Sequence, residues 1–211
     1  MKRTISILLV LVMLLGICPA ALADWGDDGW DDSSSWGDTP STGSSTTVEA
    51  KTKLSSASNA QLRNIELAAD AISGTRVSYG SNFSFNDVVG ERSADNGYRM
   101  AINGRGVSVR GGGVGQVATT LYLALKKLKG ISYVELQTYG DRFTGSYVAS
   151  GNNAVVTDYA NGRDFIFRNK AGNMTIEMWT SRSYLYCQIT VSKSSSSGGD
   201  TANGKVGSAS I

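Results

Sequence analysis

Apolar positions along this chain follow two regimes, helical before Gly130 and alternating after it. Leu62, Ile65, Ala69 and Ile72 recur at the three- and four-residue spacing of one helix face. Ser58 is placed as the N-cap, Gln61 completes a capping box three residues on, and Gly74 ends the helix. A second stripe, Val117, Leu121, Ala124, Leu125 and Leu128, is followed by Gly130, with Lys126, Lys127 and Lys129 in its last turn, where cations meet the negative end of the helix dipole. Between the helices, Phe83 and Phe85 alternate as a short strand, and Asn103-Gly104 marks a turn between extended pieces at 100–102 and 107–109.

After Gly130 the period becomes two. Strands are predicted over 131–137, 142–148, 154–159, 164–168, 174–180 and 184–191, with turns at Gly140, Gly151-Asn152-Asn153, Asn161-Gly162 and Ala171-Gly172-Asn173. Two helices followed by such strands predict an α+β fold, with two helices packed on a mostly antiparallel β-sheet and disordered N- and C-terminal flanks. The domain is expected over 55–192, with a flexible Trp/Asp/Ser-rich arm at 24–54 and a Ser/Gly tail at 193–211, because neither flank has aliphatic side chains enough to offset the entropy of ordering. Trp25, Trp30 and Trp36 stand among six aspartates in the arm. One reading is a solvated linker; the other is a sticker whose rings stack on sugars or in a partner's groove.

The first residues change where this domain is expected to work. Met1-Lys2-Arg3, an apolar run from Ile5 to Leu15 and Ala21-Leu22-Ala23 have the form of a signal peptide over 1–23. Cleavage after Ala23 is expected; bulky Ile17 before Cys18 disfavours lipoprotein processing. A secreted or cell-wall-associated protein with no transmembrane segment after signal removal is expected. Loss of Lys2 and Arg3 leaves 18 basic against 18 acidic residues, so charge gives no support to a nucleic-acid partner. Cys187 is then the one cysteine, and its alternation with Leu185, Ile189 and Val191 places it on an apolar face. The chain has no histidine, which excludes Ser-His-Asp and Cys-His catalysis and the usual zinc sites.

Candidate chemistry centres on RGGGVGQVATTLY, residues 110–122, where four glycines precede the second helix. Gly115 is followed by Gln116 and not by Lys and Ser or Thr, so the loop is no Walker motif, and parallel βα units for a dinucleotide site are absent from the pattern. No cofactor or metal is expected. The amides from Gly113 to Gln116 with Arg110 beside them suit an anion; alternatively the glycines let the loop pass close to the sheet and bind nothing. Thr119 and Thr120 read as hydrogen-bonding groups. Asp87, Glu91 and Asp95 near Arg92 read as solvated loop charges, although a glycosidase would need two acids across a cleft.

Four segments together carry a family resemblance: Asn64-Ile65 with Ala68-Ala69, FSFNDVVGERSADNGY at 83–98, GGGVGQVATTLY at 111–122 and SYVASGNNAVV at 146–156. In this order they resemble the VanW-like proteins, named for an accessory protein of glycopeptide-resistance clusters, over about residues 59–191. The resemblance implies a cysteine where Gly115 stands, a histidine within the stretch where this chain has Glu135-Leu136-Gln137-Thr138-Tyr139, and Gly-Arg-Asp-Ala where Gly151-Asn152-Asn153-Ala154 stands. A thiol at a helix N-terminus, then His, then Asp, is similar in order to transglutaminase-like cysteine enzymes, and the helix end would lower the thiol's pKa. This chain departs at all three positions. The expectation is therefore a non-catalytic VanW-like domain of the cell envelope. Its candidate groove comprises Arg110, Gly111, Gly112, Gly113, Gly115, Gln116, Thr119, Thr120, Tyr139 and Asn153, and its expected partner is peptidoglycan or a cell-envelope protein. An envelope enzyme acting on peptidoglycan or peptide amides without Cys or His, and a purely structural adaptor, are the competing readings.

Overall fold

The computed structural model describes residues 44–157 and 162–192, which belong to a unit beginning at Ser41. The expected signal peptide, the arm's three tryptophans and the tail lie outside the described residues. The fold is α+β, as the change of period predicts.

Four strands make the main antiparallel sheet. They are β1 (Ser45–Lys53), β2 (Thr75–Val77), β8 (Asn173–Thr180) and β9 (Tyr184–Ser192), in the order β1-β9-β8-β2. One face bears Met174, Ile176, Met178, Leu185, Cys187, Ile189 and Val191, all buried, as strict alternation requires of a sheet covered on one side. Helix α1 (Asn59–Ile72) packs over β8, and α3 (Val114–Leu125) over β1 and β9. Ser58 and Gln61 form the expected capping box, and Ile65, Ala69 and Ile72 are fully buried.

A second antiparallel sheet contains β3 (Asn82–Ser84), β7 (Ile166–Asn169) and β6 (Ile131–Glu135), in the order β3-β7-β6. A two-stranded hairpin is formed by β4 (Met100–Ile102) and β5 (Ser108–Arg110). Phe83 stacks on its cross-strand neighbour Phe167 at 5.0 Å between ring centroids, and both rings are buried in the core.

Four expectations are corrected. Residues 45–53, expected in the flexible arm, form β1 and pair along all of β9; Val48, Ala50 and Thr52 turn inward beneath α3, enough burial to order a Ser/Thr-rich segment. Phe85 does not continue β3. Ser84 accepts from the Asp87 amide and starts a short helix, α2 (Phe85–Val89). Residues 142–148 are not a strand: Arg142 closes a single 3-10 turn and the rest is irregular, because its Phe143 ring packs on the β4–β5 hairpin and its Tyr147 toward Thr119 of α3, without a neighbouring strand. Nor do residues 154–157 form a ladder; isolated bonds hold them, from the Val155 amide to the Gln137 carbonyl and from the Thr157 amide to the Arg163 carbonyl.

Candidate functional site

The glycine run turns the chain from β5 into α3. Gly111 (φ 77°) and Gly113 (φ 105°) occupy the left-handed region that side chains disfavour. At Gly112 the requirement is space, since a Cβ there would collide with the Ala101 carbonyl oxygen. Gly115 differs from all three. It lies in the first turn of α3, and the nearest atom a Cβ would meet is the Ala154 carbonyl oxygen at 3.9 Å.

Gly115 opens onto a cavity of about 1050 Å³. Its walls come from the start of α3 and from the β4–β5 hairpin, with Arg92 and Tyr139 on further sides. Of the residues singled out from sequence, Arg110, Gly111, Gly113, Gly115, Gln116 and Tyr139 line it. Gly112, Thr119, Thr120 and Asn153 lie behind the wall. Thr119 donates to the Gly115 carbonyl (2.7 Å) and accepts from the Ala154 amide (3.1 Å). Thr120 meets Thr52 of β1 at 2.7 Å. Asn153, fully buried, accepts from the Tyr139 amide at 2.9 Å, while its own amide nitrogen has no hydrogen-bond partner.

Position 115, the stretch 135–139 and position 153, where the resemblance implies a thiol, a histidine and a carboxylate, are thus brought together: Gly115 faces the carbonyl of Ala154, and Asn153 holds the backbone of Tyr139 at the end of that stretch. Gln116 has another task. Its amide donates to the Thr52 hydroxyl (3.0 Å) and the Lys53 carbonyl (2.8 Å), tying β1 to α3. The proposed anion cradle is also partly spent, since the Val114 and Gln116 amides bond to the Gly111 and Gly113 carbonyls.

Two tyrosines wall the cavity beside the helix end. Burial pushes the Tyr139 hydroxyl above the ordinary phenol range, with Arg105 and Arg163 pulling the other way. Burial likewise raises Tyr147, against a hydrogen bond with Thr119. Phe143 stacks on Tyr139 and meets Tyr147 edge-on at 5.2 Å. Sequence reading missed Tyr147 because the segment resembled a strand, and it left Arg92 among solvated loop charges. Arg92 is buried, donates to the Asn86 side chain (2.6 Å) and the Thr157 carbonyl, and lies along Gly111. Among the described residues lining the cavity, Glu91 is the one carboxylate.

The family described as VanW like protein matches residues 60–190. The chain belongs to the VanW-like family. It is also 35% identical over 122 residues to the uncharacterized protein YoaR of Bacillus subtilis (strain 168), a match covering 56% of this chain and 39% of YoaR. The chain therefore spans about two fifths of the length of that relative. No solved structure matches it. The matched interval starts in the first turn of α1 and ends within β9, so all of the cavity lining except Ser56 and Ala57 falls inside the VanW-like region, whereas β1 precedes it.

Proposed function

We propose that this chain is a secreted, cell-envelope-associated VanW-like domain that binds a cell-wall or protein ligand in the cavity beside Gly111–Gln116 without transforming it. The observation that carries the reading is Gly115: the helix terminus opens onto a large cavity at a residue with no side chain. Secretion is supported by the leader pattern at 1–23, and the absence of chemistry by the neighbouring groups. The Thr119 hydroxyl and the Gln116 amide are engaged by the fold. Tyr139 and Tyr147 hold their protons more tightly than an exposed phenol, the opposite of what a general base at neutral pH requires. Among the described residues lining the cavity, no second carboxylate stands across from Glu91, as a glycosidase would need. The surfaces that remain, backbone, aromatic walls and the exposed Arg110 guanidinium, suit binding of a polar, anionic or peptide-like ligand.

The test uses Gly115→Leu, which fills the cavity from a position with room for a side chain. Wild-type protein is expected to co-sediment with peptidoglycan and to leave its fragments unchanged by mass spectrometry, and the variant to lose binding while keeping its circular dichroism. New cleavage or transfer products would establish the enzyme reading instead. Undiminished binding by the variant would remove the cavity from the proposal.

A further inference from the structure

The β4–β5 hairpin carries an apolar patch that the core does not absorb and that the cavity takes up only in part. Met100 and Ile102 on β4 are 52% and 47% exposed, and Val107 in the connecting loop is 52% exposed. A lone exposed apolar side chain is ordinary, but three on one projecting hairpin form a patch. The inward positions are already taken, since Ala101 is buried and its partner Val109 half-buried. On the outward face Met100 stands opposite Arg110, and Ile102 opposite Ser108. Arg99, Arg105 and Arg110 are all exposed.

The charge pattern is local. Asp95 and Glu135 are consecutive acids in the sequence, with no acidic residue from Asn96 to Val134, although basic and acidic residues nearly balance over the whole chain. The hairpin is also held in place from behind. Asn64 of α1 accepts from the Arg99 amide (2.8 Å) and donates to the Arg99 and Gly112 carbonyls. Gln61 donates to the Ile102 carbonyl (2.9 Å), and the Thr144 amide donates to the Gly104 carbonyl. A hairpin held from behind, with exposed apolar side chains, three exposed arginines and no acid of its own, has the composition of an interfacial anchor.

We propose that the β4–β5 hairpin docks on an anionic lipid bilayer. Met100, Ile102 and Val107 enter the boundary between headgroups and acyl chains, and Arg99, Arg105 and Arg110 meet lipid phosphates. Charge complementarity selects this occupant, because each arginine near an anionic surface strengthens binding about fivefold. Three half-exposed side chains also fall well short of the roughly 800 Å² per partner that a stable protein interface buries. Ile102 and Arg110 belong to the cavity lining as well, so a bilayer held by the hairpin lies against the cavity's rim. The proposal does not depend on what the cavity binds.

The experiment is co-sedimentation of the chain beginning at Asp24, without its apolar leader, with vesicles of phosphatidylcholine alone or of phosphatidylcholine and phosphatidylglycerol in equal parts. Binding is expected to the anionic vesicles only and to weaken with salt. It is expected to fall about fivefold per charge in Arg99→Gln and Arg105→Gln, and to be abolished in the Met100→Ser/Ile102→Ser/Val107→Ser variant. The single arginine variants keep the test intact should the triple variant fail to fold. Equal binding to both vesicle types, or wild-type binding by the variants, would overturn the proposal. So would hairpin-dependent capture of a protein with no binding to either vesicle.

Discussion

At the scale of single residues, the glycine run separates into positions the backbone requires and one it does not. Gly112→Ala drives a Cβ into the Ala101 carbonyl, and is expected to destabilise by about 3 kcal/mol or more, as overpacking against immobile backbone does. Gly115→Ala is expected to act in the opposite sense. It meets nothing nearer than 3.9 Å and replaces glycine within a helix, a gain of about 0.5–1 kcal/mol. Urea midpoints of the two variants check both signs, and a destabilised Gly115→Ala would refute the geometry given for this position. Cys187 supplies a second residue-scale expectation. It is fully buried, and burial, with a smaller contribution from Glu49, pushes its thiol far up. A thiol-specific reagent at pH 8 should leave native protein unmodified and react once urea unfolds it.

Among the elements, β1 shows where sequence patterning and structure part. Like the arm before it, it is largely polar, and its apolar content is confined to Val48 and Ala50, with Leu54 just beyond its end. Its order comes from the partner: nine consecutive residue pairs with β9 and side-chain bonds from α3. Gln116→Ala breaks the bonds to Thr52 and Lys53 and leaves the Lys53 carbonyl short of a donor. The expected cost is about 1–3 kcal/mol, measured by urea unfolding. A chain starting at residue 55, where the domain was expected to begin, exposes the long edge of β9. That truncation is expected to aggregate or unfold while a chain starting at Ser44 stays monomeric, as size-exclusion chromatography and circular dichroism would show. The other misread segment, 142–148, has the alternation of a strand, yet its Phe143 ring turns toward the hairpin at Gly104 and its Tyr147 toward Thr119 of α3. Periodicity records that side chains face something apolar and does not distinguish a sheet from a loop packed on a hairpin.

For the whole molecule, the raised ionisations act in one direction. Cys187, Tyr98, Tyr139 and Tyr147 are all shifted up, and Tyr133 to about 12, chiefly by burial. Each group is more easily deprotonated in the unfolded chain, so its contribution to stability is complete below its unfolded pKa and is lost as pH rises toward the folded value. Stability should decline from about pH 8.5 as unfolded thiol ionises, and more steeply above about pH 10 as unfolded tyrosines follow. Cys187→Ala should abolish the first part of the decline, and urea midpoints across that range would show whether it does. The sequence by itself determined the α+β class, the capped first helix, the helix after the glycines, the β8 and β9 strands and the inward side of Cys187. Each depends on spacing along a few consecutive residues, which the chain carries wherever it folds. Tertiary structure alone decided that β1 is a strand, that residues 115, 139 and 153 converge, that Gln116 serves β1 and that Arg92 is buried beside the cavity. Those facts depend on distant partners, from 14 positions apart for Asn153 and Tyr139 to 147 for Ser45 and Ser192, brought together by sheet pairing and close packing that no local pattern encodes.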